Sequence, residues 1–94
     1  EINDVTIEVY LNILASTPDT LIERKYGQKV AKKVSSKANE ILKNTTIATK
    51  DRLTSLKNFD SYLIDHKYNP GTTADFTAAS LFVGLVDKYS ITGI

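Results

Sequence analysis

Apolar residues recur every three or four positions along most of this chain, the spacing that gathers side chains on one face of an α-helix. No segment combines the alternation and the hairpin partner that a convincing β-strand needs. The spacing therefore predicts an all-α fold of about five helices. The pattern falls into six apolar segments, near residues 5–15, 18–25, 28–43, 49–57, 59–66 and 73–89, from which we place these helices.

Polar and turn-forming residues mark where these helices begin and end. Thr17 is placed to cap the second helix, with Pro18 at the first helical position, where its missing amide does no harm. Gly27 follows that helix and predicts a left-handed stop. Asn58 separates the fourth and fifth segments, and we expect it to cap the fifth.

The first and third segments show two kinds of apolar pattern. In the first, Val5, Val9 and Ile13 repeat at helical spacing after Asp4, a suitable cap, and Tyr10 and Leu14 widen the stripe. The alternation of Val5, Ile7 and Val9 also fits a strand, but the segment's length and the lack of a hairpin partner favour a helix. The third segment is more clearly amphipathic. Its apolar stripe is Val30, Val34, Ala38, Ile41 and Leu42, opposite Lys29, Lys32, Lys33, Lys37 and Lys43.

The last segment is apolar over roughly 200° of its circumference, counted at 100° per residue. We expect this helix to be central and largely buried, with other helices on two sides. Thr72 is its natural cap, and Asp75 completes a Thr-x-x-Asp capping box. Asp75 falls at the wheel angle of Phe82, so we expect it to face the apolar side.

Composition excludes several kinds of protein. The chain has 94 residues, which suits one helical module, and a formal net charge of +1, which does not point to nucleic acid. It has no cysteine and one histidine, which excludes disulfides, thiolate metal sites and a Cys-His nucleophile. No apolar run approaches the ~20 residues of a membrane helix. We expect a cytoplasmic protein, and the lack of methionine suggests a fragment.

Two charged features have ordinary explanations. Residues 23–43 carry seven basic and two acidic side chains, a local net charge of +5, but no aromatic residue interleaves the lysines as a nucleic-acid platform requires. We favour a solvated face there. His66 lies on the apolar side of its segment, where a packing or capping role is favoured over catalysis.

The loop from Asn69 to Thr73 is the best candidate for a binding site. It opens onto a helix N-terminus, whose free backbone amides suit an anion, and Thr72 and Thr73 add hydroxyl groups. Gly71 is isolated, so this is not a glycine-rich phosphate loop. Asp75 is explained equally by the capping box and by a role toward a metal ion or a substrate hydroxyl.

A second candidate lies at the start of the second helix. Asp19 and Glu23 are four residues apart and share one helix face, and Thr20 and Arg24 share the next. Such a surface suits a hydrated Mg²⁺ held by carboxylates and a phosphate held by Arg24. Alternatively, the acidic groups in the first turn only complement the helix dipole.

These two segments resemble a known family. Asn69-Pro70-Gly71-Thr72-Thr73-Ala74-Asp75 resembles the C-terminal motif of the triphosphoribosyl-dephospho-CoA synthase family, and Pro18 to Lys25 resembles its Asp-Thr…Arg segment. The Phe59-Asp60 pair between them is also similar. Asn69 and Thr72 replace a serine and a glycine of the usual motif. With these two replacements, the chain resembles an archaeal-type branch of the family more closely. The family's N-terminal half, with its Lys-Pro-Gly motif, is not in this sequence.

The resemblance implies the C-terminal part of a larger all-α transferase that joins the triphosphoribosyl part of ATP to dephospho-CoA and releases adenine. It implies Asp75 and Asp19 as catalytic residues and as ligands to Mg²⁺. It also implies a set of substrate-binding residues: Arg24, Thr20, Asn69, Gly71, Thr72 and Thr73. We expect the fragment alone to be inactive and to pair with the missing half or with itself. The alternative is a non-catalytic helical module that packs on a partner chain.

Overall fold

The computed structural model describes the backbone of residues 4–89 and the side chains of residues 4–83. Over that range the chain forms five helices and no strand, which confirms the predicted all-α fold. The helices are α1 (Asp4–Ser16), α2 (Thr20–Tyr26), α3 (Gln28–Asn44), α4 (Lys50–His66) and α5 (Gly71–Tyr89). None of the described helices is long and apolar enough to cross a membrane.

The first helix buries mainly a different face from the predicted one, and of the predicted stripe only Leu14 is fully buried. Ile7, Leu11 and Leu14 are buried, whereas Val5 is 60% exposed. Because α1 is apolar on most of its circumference, its spacing alone fits more than one face, and the partner helices select one. Ser35 on α3 adds a polar contact to this packing, since its hydroxyl donates a 2.7 Å hydrogen bond to the Leu14 carbonyl.

The predicted break at Asn58 is wrong, because α4 runs through it without interruption. Asn58 is exposed, and no proline or glycine interrupts the helix, so its weak helix propensity is not enough to end it. Phe59 and Leu63 follow on the buried side of the same helix. The real cap is Thr49, whose hydroxyl accepts a hydrogen bond from the Arg52 amide.

The core lies where α1, α3 and α4 meet, with one side chain from α2. Its buried apolar residues are Ile7, Leu11, Leu14, Ile22, Ala31, Val34, Ala38, Phe59 and Leu63. Val30, Ile41 and Leu42, also predicted for the apolar stripe of α3, pack partly buried against it. Gly27 ends α2 as predicted, at a positive φ of 95°, and α3 begins directly after it.

The last helix is less buried than expected. It packs on α1 and α2 but not directly on α4 within residues 4–89. Thr73 and Thr77 form its buried side, whereas Phe76 and Phe82 are exposed, the latter at 65%. The expectation of a central, largely buried helix therefore fails for residues 71–83, because α5 flanks the bundle and has partners on one side.

A buried arginine, which the sequence pattern did not reveal, holds α4 in place. Arg52 is 5% exposed and forms an ion pair with Glu8 on α1. Its guanidinium also donates to the Thr45 hydroxyl at 2.6 Å and to the Thr45 carbonyl at 2.8 Å, beside the C-terminal end of α3. One side chain thus connects α1, the end of α3 and α4.

Candidate functional site

A buried carboxylate connects the beginnings of two helices. Asp19 is 2% exposed and caps α2, since its Oδ1 accepts hydrogen bonds from the amides of Leu21 (2.9 Å) and Ile22 (3.1 Å). The predicted cap, Thr17, is wrong. The Thr17 amide is still bonded to the Ile13 carbonyl at the end of α1, so α2 begins only after Asp19.

The other oxygen of Asp19 reaches the last helix. Its Oδ2 accepts from the Thr73 amide at 2.7 Å and from the Thr73 hydroxyl at 2.8 Å. Each helix N-terminus carries about half a positive charge, so one carboxylate balances the two ends that meet here. Asp19 therefore fixes the position of the α5 N-terminus relative to α2.

The start of α5 is not capped as predicted. The helix begins at Gly71, and its first backbone bond runs from the Ala74 amide to the Pro70 carbonyl. The Thr72 hydroxyl lies 2.8 Å from the hydroxyl of Thr20 and hydrogen-bonds with it. Thr72 is therefore inside the helix, where it joins the first turns of α2 and α5.

Asp75 is exposed to solvent, which corrects the expectation that it faces the apolar side. The buried face of α5 is set instead by Thr73, which bonds Asp19, and by Thr77, whose hydroxyl donates to the Thr73 carbonyl. Because Thr72 is not the cap, the predicted capping box does not form. The Asp75 carboxylate remains available to a ligand, one turn along α5 from Thr72.

The structure brings most of the predicted site residues together. Asp19, Thr20, Thr72 and Thr73 are linked by hydrogen bonds. A Cβ atom added at Gly71 would approach the Leu21 side chain to 2.9 Å, so the small glycine allows α2 and α5 to approach closely here. Two other predicted residues lie at the edge of this cluster and are exposed. These are Arg24, one turn after Thr20, and Asn69, in the preceding loop.

The carboxylates of Asp19 and Asp75 differ in how well they could bind a metal ion. A carboxylate has about four lone-pair positions, and Asp19 already accepts four hydrogen bonds, so it does not fit the role of a magnesium ligand. Among the described residues no group of three acidic, histidine or cysteine side chains gathers at a metal-binding distance. Mg²⁺ in nucleotide sites is held by one or two carboxylates and by phosphates, and Asp75 fits that simpler role.

An apolar groove runs beside this cluster, between α4 and α5, which do not pack on each other within residues 4–89, and residues of α1 also line it. Its volume is about 590 Å³. Tyr10 and Asp60 lie in its wall and also in the wall of a second cavity, of about 350 Å³, which extends to Asn69 and Pro70. The pKa of the Tyr10 hydroxyl is raised to about 12, mainly by burial and additionally by the negative charges of Asp60 and then Asp19.

Aromatic residues hold the loop that enters α5. The rings of Tyr26 and Tyr68 meet edge to face at 4.9 Å between centroids, and the Tyr26 hydroxyl donates to the Lys67 carbonyl. Tyr62 and His66 extend the cluster, with the His66 ring 5.2 Å from that of Tyr68. His66 thus has the packing role that the sequence favours. The cluster attaches the end of α4 to the end of α2 and so positions Asn69.

Comparison with protein families gives a match over nearly the whole chain. The family described as CitG: ATP:dephospho-CoA triphosphoribosyl transferase matches residues 1–93. Comparisons with curated proteins and with solved structures give no match. The family match covers both helix starts and the groove.

Proposed function

The chain belongs to the ATP:dephospho-CoA triphosphoribosyl transferase family, and we propose that it supplies the substrate-binding and catalytic surface for the reaction in that name. The triphosphoribosyl part of ATP is joined to dephospho-CoA and adenine is released. The observation that carries the proposal is the junction of α2 and α5, where Asp19 and the Thr20–Thr72 contact hold two helix N-termini together.

The chemistry requires no reactant beyond the two substrates. The bond between the anomeric carbon of the ATP ribose and adenine breaks, and that carbon forms a bond to a hydroxyl oxygen of dephospho-CoA. The electrons of the broken bond leave with adenine, which also receives the proton that the hydroxyl loses. Positive charge develops on the ribose in between, and a nearby carboxylate stabilises it.

The triphosphate is the first group that the site must bind. Gly71 and Thr72 are the first two residues of α5, and their amides precede the first bond of the helix, so they are orphan donors. The hydroxyls of Thr20 and Thr72 lie beside them. We assign phosphate binding to these groups, with the exposed Arg24 guanidinium and the Asn69 side chain at the edge.

Asp75 is the carboxylate that we assign to the reacting end of ATP. It is exposed and one turn from Thr72, so it faces solvent beside the proposed phosphate site. Mg²⁺, which neutralises phosphate charge when bound, fits Asp75 and the phosphates. Asp19 is assigned to positioning, because its oxygens are already hydrogen-bonded to both helix starts.

The proposal is tested by incubating the complete protein with ATP, dephospho-CoA and Mg²⁺ and measuring adenine by chromatography and the product by mass spectrometry. We expect one adenine for each triphosphoribosyl-dephospho-CoA formed. An Arg24→Ala variant should raise the KM for ATP, whereas Lys29→Ala, on the exposed face of α3, should not. Adenine release that does not require dephospho-CoA would contradict transfer, and so would no release at all.

A non-catalytic interaction module is the second candidate, because α5 presents Phe76, Phe82 and Val83 to solvent. Such a module binds a partner chain and does not bind ATP. Amide NMR spectra during titration with ATP and Mg²⁺ separate the two candidates. Shifts centred on Gly71 to Thr73 favour the transferase, and unchanged amides there favour the module.

A further inference from the structure

The groove between α4 and α5 has the dimensions of an extended chain. Its wall runs along α4 from Leu53 to Leu63, about 15 Å at 1.5 Å per residue. Its volume of about 590 Å³ lies within the range of ligand pockets, roughly 300–1,000 Å³, so the groove has room for a linear chain of that length.

The lining of the groove indicates what kind of chain fits. Most of it is apolar, with Leu56, Phe59 and Leu63 on the α4 side. Polar residues also line it, among them Tyr10 on α1 and Asp60 and Lys57 on α4. A chain that alternates methylene and amide groups suits this mixed lining, because its methylene groups contact the apolar residues and its amides bond the polar ones.

The groove is continuous with the loop of the proposed phosphate site. Tyr10, Asp60 and Leu63 line both the groove and the second cavity, whose far end is formed by Asn69 and Pro70. A ligand whose diphosphate lies in the second cavity, which Lys67 and Asn69 line, can therefore extend a linear arm past Tyr10 into the groove, and the start of α5 is left to the triphosphate of ATP. On the α5 side of that path the groove is lined by the small side chains of Ala74 and Ala78, which leave room for the arm.

We propose that the groove between α4 and α5 binds the pantetheine arm of dephospho-CoA, and thereby selects the acceptor substrate. The inference rests on the proposed function, from which it takes the acceptor. The arm is a linear chain of methylene and amide groups that ends in a thiol. Its amides face Tyr10 and Asp60, and its methylene groups lie against the leucines of α4.

The test uses two variants of one helix. Ala78 lines the groove and Ala79 does not, although both are exposed on α5. Leucine at either position suits a helix, so both proteins should fold, which circular dichroism checks. Ala78→Leu fills the groove, and Ala79→Leu is the matched control. Calorimetric titration then measures binding of dephospho-CoA and of ADP, which has the adenosine and two phosphates without the arm.

We expect Ala78→Leu to weaken dephospho-CoA binding by at least about tenfold relative to Ala79→Leu, since a few methylene contacts in an apolar pocket account for that much. ADP should bind all three proteins equally, and free pantetheine should compete with dephospho-CoA only in the unmodified protein and Ala79→Leu. Equal dephospho-CoA affinity in the two variants would overturn the inference. The proposed transferase activity is tested separately. If it alone is wrong, no adenine is released, but Ala78→Leu still weakens binding of dephospho-CoA and not of ADP.

Discussion

The carboxylate of Asp19 accepts hydrogen bonds from both the amide and the hydroxyl of Thr73, 54 residues further along the chain. The same carboxylate caps α2 through its other oxygen. The relative position of the two helix starts, and with it the proposed phosphate site, depends on this one buried side chain.

Replacing Asp19 should therefore affect stability more than its size suggests. In Asp19→Asn, the NH₂ group of the new side chain points a donor at one of the two helix starts, so backbone amides there lose their acceptor. We expect the free energy of unfolding to fall by about 2–3 kcal/mol. Urea unfolding measures the loss. Asp65→Asn, an exposed carboxylate on α4, is the control and should change stability by no more than about 0.5 kcal/mol. Equal stability of the two variants would show that the Asp19 contacts contribute little.

The sequence predicts the helices better than it predicts the faces they bury. The amphipathic α3 was placed correctly, because its lysines leave one apolar side. In α1 and α5 apolar residues surround most of the helix, so tertiary contacts select the face, and neither the exposure of Asp75 nor that of Val5 follows from spacing. The family resemblance is confirmed.

Two further features, the link between Asp19 and Thr73 and the burial of Arg52, depend on contacts between distant segments and could not be predicted from the sequence. The sequence indicates Asp19 as a candidate site carboxylate, but its link to Thr73 joins parts of the chain with no common periodicity. Arg52 has no sequence signal as a buried residue, because its partners Glu8 and Thr45 lie on other elements. Only the folded arrangement shows that these polar groups satisfy one another.

Arg52 should be among the most sensitive positions for stability. Arg52→Met leaves the Glu8 carboxylate without its partner and should cost about 3 kcal/mol, as is usual when one member of a buried pair is removed. The double variant Glu8→Gln with Arg52→Met should cost less than the single one, because no charge is then left unpaired. Thermal unfolding compares them. A double variant that is less stable than Arg52→Met would contradict this account.

Tyr10 should make stability fall in alkaline solution. Its pKa is raised from 10.0 to about 12 in the folded chain, so from about pH 10 upward the unfolded chain loses this proton while the folded chain retains it. The stabilising contribution is complete below pH 10 and is lost as the pH rises toward 12. Unfolding of the unmodified protein and of Tyr10→Phe, measured from pH 9 to 12, should show a steeper decline for the unmodified protein. Parallel curves would contradict the raised pKa.

The exposed apolar side of α5 should promote association. Phe82 and its neighbours Phe76 and Val83 are more than half exposed, which favours contact with a second copy or another chain. Light scattering should show a mass that rises with concentration, and Phe82→Ser should reduce it. Val5→Ser, which removes an exposed apolar residue from α1, is the control. A constant monomer mass, without binding of a hydrophobic dye, would contradict the prediction.

The most direct test of the transferase site is the turnover of Asp75→Asn in the complete protein. Asparagine keeps the shape of the side chain and removes its charge, and Asp75 is exposed, so the melting temperature should hardly change. If Asp75 faces the ribose or Mg²⁺, adenine release should fall by at least about 100-fold, as when one preorganised electrostatic group is removed. Asp65→Asn should keep normal turnover. Normal adenine release by Asp75→Asn, or the same loss in Asp65→Asn, would contradict the account.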